Sequence, residues 1–534
     1  MDRLRPSTRL NPTTDVPNPN PLPSVASTVA AAPRRGLHRL QLAAVAAALV
    51  ALAAFVAWRR YQQLAESPFP LGIDGYFYPI QLRAILETGF IDSPAPPLAF
   101  YLMAPFAWWT DPIVGAKLGA AWWCAAAVFP AYGIAHRLSG YRTTGLVAAA
   151  FIGLCHGGFY LNVEFVKNGV GITAALTLVW LLLRALDQPS RARFAWCAVG
   201  LLTAWLTHKI AAPLALIVTL PAMIITVRSR SNLSRNALLI GAIGSAAVAA
   251  LALRAGWSEL RILFTSHARW DLPALALPRH PLMLGHEPWA GAIAALAFVG
   301  VAIALWRSPT LRARLVYQPT LEHRVRVATT LAFAGLALVI ALPWLTVDNP
   351  QGLAFRLRII AFVPLAMVSS VLLSLLVQAI NARAVPATAA AVMVAIVWWS
   401  PARINDGVVY AHPAMVAAVQ GLVDEVPTNA FVIVPERHIA FMTAWYTRAR
   451  VRLRPESAPV NNRYRLITLS FINAGSALEH TIDRARAEPT LTPPLGVHPL
   501  HPNGLVFIEE ATWQWILAEL PPNLRARPAA WPTI

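Results

Sequence analysis

Apolar runs long enough to cross a bilayer recur along most of this chain, and they restrict the fold before any motif is considered. A helix rises ~1.5 Å per residue, and the hydrocarbon core is ~30 Å thick. On that basis spans are expected at Gln41–Trp58, Ile113–Ala135, Thr144–Tyr160, Val170–Leu186, Phe194–Thr207 and Ile210–Val227. Further spans are expected at Ala237–Leu253, Trp289–Trp306, Ala328–Leu345, Leu357–Ala379 and Val385–Trp399. The chain therefore reads as a polytopic α-helical membrane protein with about 11 transmembrane helices. Of its residues 57% are hydrophobic and only 13% charged, too apolar a balance for a soluble globular protein.

A net charge of +19 invites a nucleic-acid reading. In a multi-span chain it is better explained by basic cytoplasmic loops, so no nucleic-acid partner is expected. Charge also resolves Phe194–Val227, which is nearly continuous except at His208-Lys209. Read as a hairpin of two spans, it leaves Arg34/Arg35, Arg137/Arg142, Arg184/Arg191/Arg193, Arg228/Arg230/Arg235, Arg307–Arg326 and Arg383 on one side. By the positive-inside rule that side is the cytoplasm. Only Arg59-Arg60 then falls on the wrong side. The three cysteines, Cys124, Cys155 and Cys197, lie in apolar segments and read as small buried hydrophobes.

Residues 1–40, rich in Pro, Ser, Thr and Asn, read as a disordered cytoplasmic tail. Residues 41–400 form the membrane domain. Residues 401–534 change character: strand-like runs at Phe431–Pro435, Arg465–Phe471 and Leu505–Glu509 alternate with helical runs at His438–Tyr446 and Ala511–Leu520. This pattern predicts a small C-terminal α/β domain, extracytoplasmic by the same topology.

The first outer loop, 59–112, is the longest early polar interruption. Its centre, Pro70–Phe100, places Asp74 among Gly72, Gly75, Tyr76, Phe77 and Tyr78. The amphipathic run Ile80–Leu86 and the stiff SPAPP turn follow. Asp is also a favoured N-cap, so capping of the next helix is an open alternative for Asp74. Glu164 and Lys167 lie in a second outer loop, His208 and Lys209 at the hairpin tip, and Arg356 and Arg358 at the mouth of a late span. A surface ion pair for Glu164 and Lys167, and interfacial anchoring for the other cations, are the plain alternatives.

The segment Gly72-Ile73-Asp74-Gly75-Tyr76-Phe77, followed by Arg83, Leu86 and Gly89, resembles the first extracytoplasmic loop of the type C glycosyltransferases. That group includes oligosaccharyltransferase catalytic subunits and protein O-mannosyltransferases. The resemblance implies an integral inner-membrane enzyme that moves a sugar from a polyprenyl-phosphate donor to a glycan, lipid or protein acceptor on the outer face. It implies catalytic roles for Asp74 and Glu164, which would also hold a divalent cation (Mg or Mn) if one is used. Lys167, His208, Lys209, Arg356 and Arg358 are the candidate donor-phosphate residues, since a phosphate leaving group needs positive charge beside it. A flippase, a ligase or polymerase of lipid-linked glycans, and a non-catalytic assembly protein are the competing readings.

Overall fold

The computed structural model describes residues 32–208, 210–229, 320–341, 359–381, 384–398, 411, 413–427, 430–434, 437–452, 463–468, 498–499, 505–509, 514 and 518. Contacts divide the chain into Met1–Ala48 and Leu49–Ile534. Within the first unit the described residues are the opening part of α1 (Ala32–Ala65). Apart from α1 itself, all that follows concerns the second.

Nine further helices follow α1 without a strand: α2 (Phe77–Thr88), α3 (Leu98–Trp109), α4 (Pro112–Ala125), α5 (Val128–Ser139), α6 (Arg142–Leu154), α7 (His156–Glu164), α8 (Val166–Asp187), α9 (Arg191–Thr207) and α10 (Ala211–Ser229). Local chemistry sets their starts. Asp111 Oδ1 accepts from Ile113 N at 2.8 Å and Val114 N at 3.1 Å, with Pro112 at the first helical position of α4. Ser190 caps α9 through Arg193 N.

This is a helical membrane protein. Among the described residues, Arg39–Ala65, Pro112–Ser139, Val166–Asp187 and Ala211–Ser229 are long and apolar enough to cross a bilayer. A fifth span arises if α6 and α7, bent by 41°, are taken together. Later helices Leu321–Ala341, Phe362–Asn381 and Val385–Trp398 stand where spans are expected. The expected spans at Ala237–Leu253 and Trp289–Trp306 lie outside the described residues, as does the expected helix Ala511–Leu520 apart from Gln514 and Ala518. The Phe194–Val227 stretch is two helices, α9 and α10, with a break around His208.

Two features depart from the sequence reading. The loop 59–112 contains a second helix, α3, apolar but only 12 residues long. It packs closely on α4, where Gly115 and Gly119 make room: a Cβ there would stand 2.3 Å from Ala107 Cα and 2.5 Å from Met103 Cγ. Arg60, misplaced by the charge rule, is buried. Its Nη2 donates to Gly153 O at 3.0 Å and Ile152 O at 3.5 Å. It thereby satisfies carbonyls left open where α6 ends and the chain bends into α7.

The two ends of α8 differ in kind. Its 22 residues span ~33 Å. At its C-terminal end Asp187 pairs with Arg137, and the α5–α6 turn at Gly140 lies beside Arg326. Basic segments expected on one face therefore meet there. The N-terminal end of α8 carries Lys167 and adjoins the Asp74 loop.

After residue 400 a five-stranded sheet forms in the order β2-β1-β3-β5-β4. The strands are β1 (Phe431–Ile433), β2 (Arg450–Arg452), β3 (Arg463–Thr468), β4 (His498–Pro499) and β5 (Leu505–Glu509). β1 runs parallel to β2 and β3, whereas β5 runs antiparallel to β3 and β4. A helix, Arg437–Thr447, connects β1 to β2, the crossover that a parallel pair requires. The core beneath includes Val419, Leu422, Val432, Ile439 and Met442, and also Tyr76 from the first loop.

Candidate functional site

The loop that carries Asp74 is held from below. Gly75 N donates to Gly72 O at 3.0 Å, and Phe77 N to Asp74 O at 2.9 Å, a tight turn leading into α2. Gly72 has φ +86°, a left-handed conformation that favours glycine. Its missing side chain also matters, because a Cβ would stand 2.5 Å from Val163 O. That close approach lets Glu164 Oε2 accept from Ile73 N at 2.9 Å. Glu164 is 1% exposed, so it is not one half of a surface pair. The N-cap position of α2 is Tyr76, which makes no side-chain capping bond. The capping role considered for Asp74 is therefore not at that position.

A cation from the far end of the sequence completes this loop. Arg437, first residue of the Arg437–Thr447 helix, places Nε 2.7 Å from Asp74 Oδ1. The Asp74 side chain is only 15% exposed. The Arg437 guanidinium also lies 5.6 Å from the Phe441 ring centroid, and Phe441 packs on Phe77 with centroids 5.1 Å apart. On the other side Lys167 Nζ stands 4.9 Å from the Phe77 centroid and 5.7 Å from that of Phe100. Two cations thus flank one aromatic cluster beside a carboxylate.

Tyr78 joins the same group. Its buried hydroxyl accepts from Lys167 N at 3.2 Å. Burial, and then the Asp74 carboxylate, push the phenol pKa well up, against the Lys167 backbone N–H and then Arg437. The hydroxyl stays protonated and available as a donor. His438, next to Arg437, is pushed down to about 4 by burial and is neutral near pH 7.

The Arg437–Thr447 helix is clasped along α2. Arg83 Nη1 donates to Trp445 O at 2.8 Å, and its guanidinium stacks 4.4 Å from the Trp445 ring centroid. Tyr76 and Tyr446 share a hydroxyl contact at 3.2 Å, and Arg448 pairs with Glu87 at 3.1 Å. Both cap and clasp come from a domain that the sequence presents as separate.

Of the other candidate residues, His208 is described. It packs against α8 at Gly171, where a Cβ would stand 2.7 Å from His208 Cβ. Gly171 is one turn along from Lys167, so the α9–α10 break lies toward the Asp74 end of α8. Lys209, Arg356 and Arg358 lie outside the described residues. The chain resumes at Ile359, whose carbonyl, with the Phe362 ring, lines the α7 backbone at Gly157. Among the described residues no three His, Cys, Asp or Glu side chains gather as a metal site. Asp74 and Glu164 are the two carboxylates at hand, the first facing a guanidinium and the second a backbone N–H.

Sequence reasoning missed Arg437 and Tyr78. Tyr78 had a signal, its place four residues after Asp74 and just before the expected amphipathic run Ile80–Leu86. Arg437 had none, being one of many arginines in its region.

No protein-family model matches the chain, and no curated protein does. Among solved structures, the chain is similar to ArnT from Cupriavidus metallidurans bound to undecaprenyl phosphate. That likeness has 12% sequence identity and a TM-score of 0.45, over 86% of this chain and 97% of the other.

Proposed function

We propose that this chain is a membrane glycosyltransferase that moves a sugar from a polyprenyl-phosphate donor to an acceptor hydroxyl at the outer face of the membrane. One observation carries the reading. A partly exposed carboxylate, Asp74, lies on a buttressed loop in an ion pair with Arg437, with the Lys167 ammonium over the nearby Phe77 ring, at the end of α8 opposite the basic cluster. Burial of Asp74 against an apolar wall, far from Glu164 and Lys209, would favour the non-catalytic alternative; the Asp74 loop is hydrogen-bonded to Glu164, and Lys209 lies outside the described residues.

In this reading Asp74 is the general base. The acceptor oxygen attacks the anomeric carbon as its proton passes to the carboxylate. The bond from the anomeric carbon to the phosphate oxygen breaks, and the phosphate leaves with the electron pair. Direct displacement inverts the anomeric centre. Lys167, with His208, Lys209, Arg356 and Arg358, offsets the charge on the departing phosphate. Glu164 supports the loop by holding Ile73 N, and a divalent cation, if used, would draw on Asp74 and Glu164 and supply further charge neutralisation.

The test uses the purified full chain with radiolabelled polyprenyl-phosphate sugars and a panel of glycan, lipid and protein acceptors. Wild type transfers label and Asp74→Asn, equally folded, does not. Equal transfer by the two would remove Asp74 as base.

A further inference from the structure

The C-terminal domain has no role in the reaction as so far described, yet it supplies a cation 2.7 Å from the proposed base. We infer that Arg437 is a positioning residue for Asp74, so that the active site is shared between the membrane domain and the C-terminal domain. This rests on the assignment of Asp74 as base.

Three observations carry it. First, Arg437 Nε is 2.7 Å from Asp74 Oδ1, an ion pair by distance and not an aligned hydrogen bond, and both atoms are shielded from solvent. Second, the guanidinium is itself restrained, lying against Phe441, which is fixed in turn on Phe77 only three residues beyond Asp74. Third, the helix that begins with Arg437 is secured on α2 by Arg83 on the Ala444 and Trp445 carbonyls, by Tyr446 on Tyr76 and by Arg448 on Glu87. The helix thus presents its first residue at a set distance from the loop.

Physically, an aspartate on a turn can rotate about two torsions, and a base is effective only while its oxygen points at the acceptor proton. An ion pair at one carboxylate oxygen biases the orientation of the whole group, and with it the direction in which the base meets its proton. Arg suits this task better than Lys, because its donors are planar and its direction is set by stacking. Positioning predicts loss in kcat with little change in donor KM, whereas phosphate binding predicts the reverse.

The experiment compares wild type, Arg437→Gln and Arg437→Lys as purified full-length proteins, by donor titration and by thermal unfolding. Expected for Arg437→Gln is a fall in kcat of at least about tenfold, with donor KM within about twofold. Arg437→Lys should recover part of the loss, and added guanidinium should partly rescue an Arg437→Ala chain. A raised donor KM with kcat unchanged, or unaltered kinetics, would overturn the inference. A thermal cycle of Asp74→Asn, Arg437→Gln and the double variant reads the pair without activity: non-additive shifts are expected, and additive shifts overturn the pairing. If wild type transfers no sugar, the enzymatic reading fails, and this cycle still decides whether Arg437 holds Asp74.

Discussion

Glu164 holds the backbone N–H of Ile73 at 2.9 Å, so the residue beside Asp74 is fixed by a carboxylate buried in the protein. This bond needs an acceptor oxygen at that point and not, by itself, a negative charge. Glu164→Gln should therefore retain turnover to within a few-fold. Glu164→Ala should lose it and destabilise the fold, since an unpaired buried N–H costs roughly 1–3 kcal/mol. Turnover assays and thermal unfolding on both variants decide the matter. Complete loss in a stably folded Glu164→Gln chain would give the charge a direct chemical role.

Gly72 is the other half of that support. Alanine there meets both the left-handed backbone and the Val163 carbonyl, 2.5 Å from where its Cβ would stand. A left-handed non-glycine residue costs on the order of 1–2 kcal/mol before the clash is added. Gly72→Ala should lower thermal stability and abolish transfer. Gly89, where a Cβ meets nothing within 4 Å, is the control for backbone strain alone. If Gly72→Ala behaves no worse than Gly89→Ala, close packing on α7 is not what limits the loop.

The clasp at Arg83 is also open to test. Arg83→Lys keeps the charge but loses the planar stack on Trp445 and the directed bond to its carbonyl. Stacking of this kind contributes about 0.5–2 kcal/mol. The expected outcome is faster proteolysis within residues 401–534 and a fall in turnover, with the membrane helices intact by circular dichroism. Unchanged cleavage would show that the Tyr76–Tyr446 and Glu87–Arg448 contacts suffice.

His438 gives the C-terminal domain a pH dependence. Its imidazole is pushed from 6.5 down to about 4 by burial, so the folded state binds fewer protons than the unfolded one between those values. Stability is then full above pH ~6.5 and falls as pH drops toward ~4, by up to about 3 kcal/mol. Thermal unfolding across that window should show this slope, and His438→Gln should flatten it. An equal slope in the variant would place the dependence on other groups.

The proposed donor-phosphate residues yield a sharper kinetic expectation. A charge-assisted bond to phosphate contributes roughly 1.5–3 kcal/mol, so Lys209→Gln and Arg356→Gln should each raise the donor constant by at least about tenfold. A double variant should be less than additive if both cations meet one phosphate. Unchanged constants in both single variants would leave these residues as interfacial anchors, with Lys167 and Arg358 next in line.

What the sequence reveals follows physical range. Asp74 and Glu164 were legible because each sits in a polar break between apolar runs. The α9–α10 break was legible because His208-Lys209 interrupts an apolar stretch. Helix α3 was missed because SPAPP precedes it and 12 residues are too few to resemble a span. Strands β2 and β4, three and two residues long, carry no alternation to detect. Arg60 looked like an exception because charge counting cannot see that two carbonyls at the end of α6 require a donor. Arg437 was invisible because only tertiary packing brings it to Asp74.

The pairing of Arg437 with Asp74 also orders events during biosynthesis. A ribosome feeding this chain into the bilayer releases the Asp74 loop early and Arg437 only after the described membrane helices have been made. Until then the loop has its buttress from α7 and Lys167 beside it but lacks Arg437. On the proposed reading, a translation product cut short before Arg437 would carry those helices and the loop yet lack the ion pair that orients the proposed base.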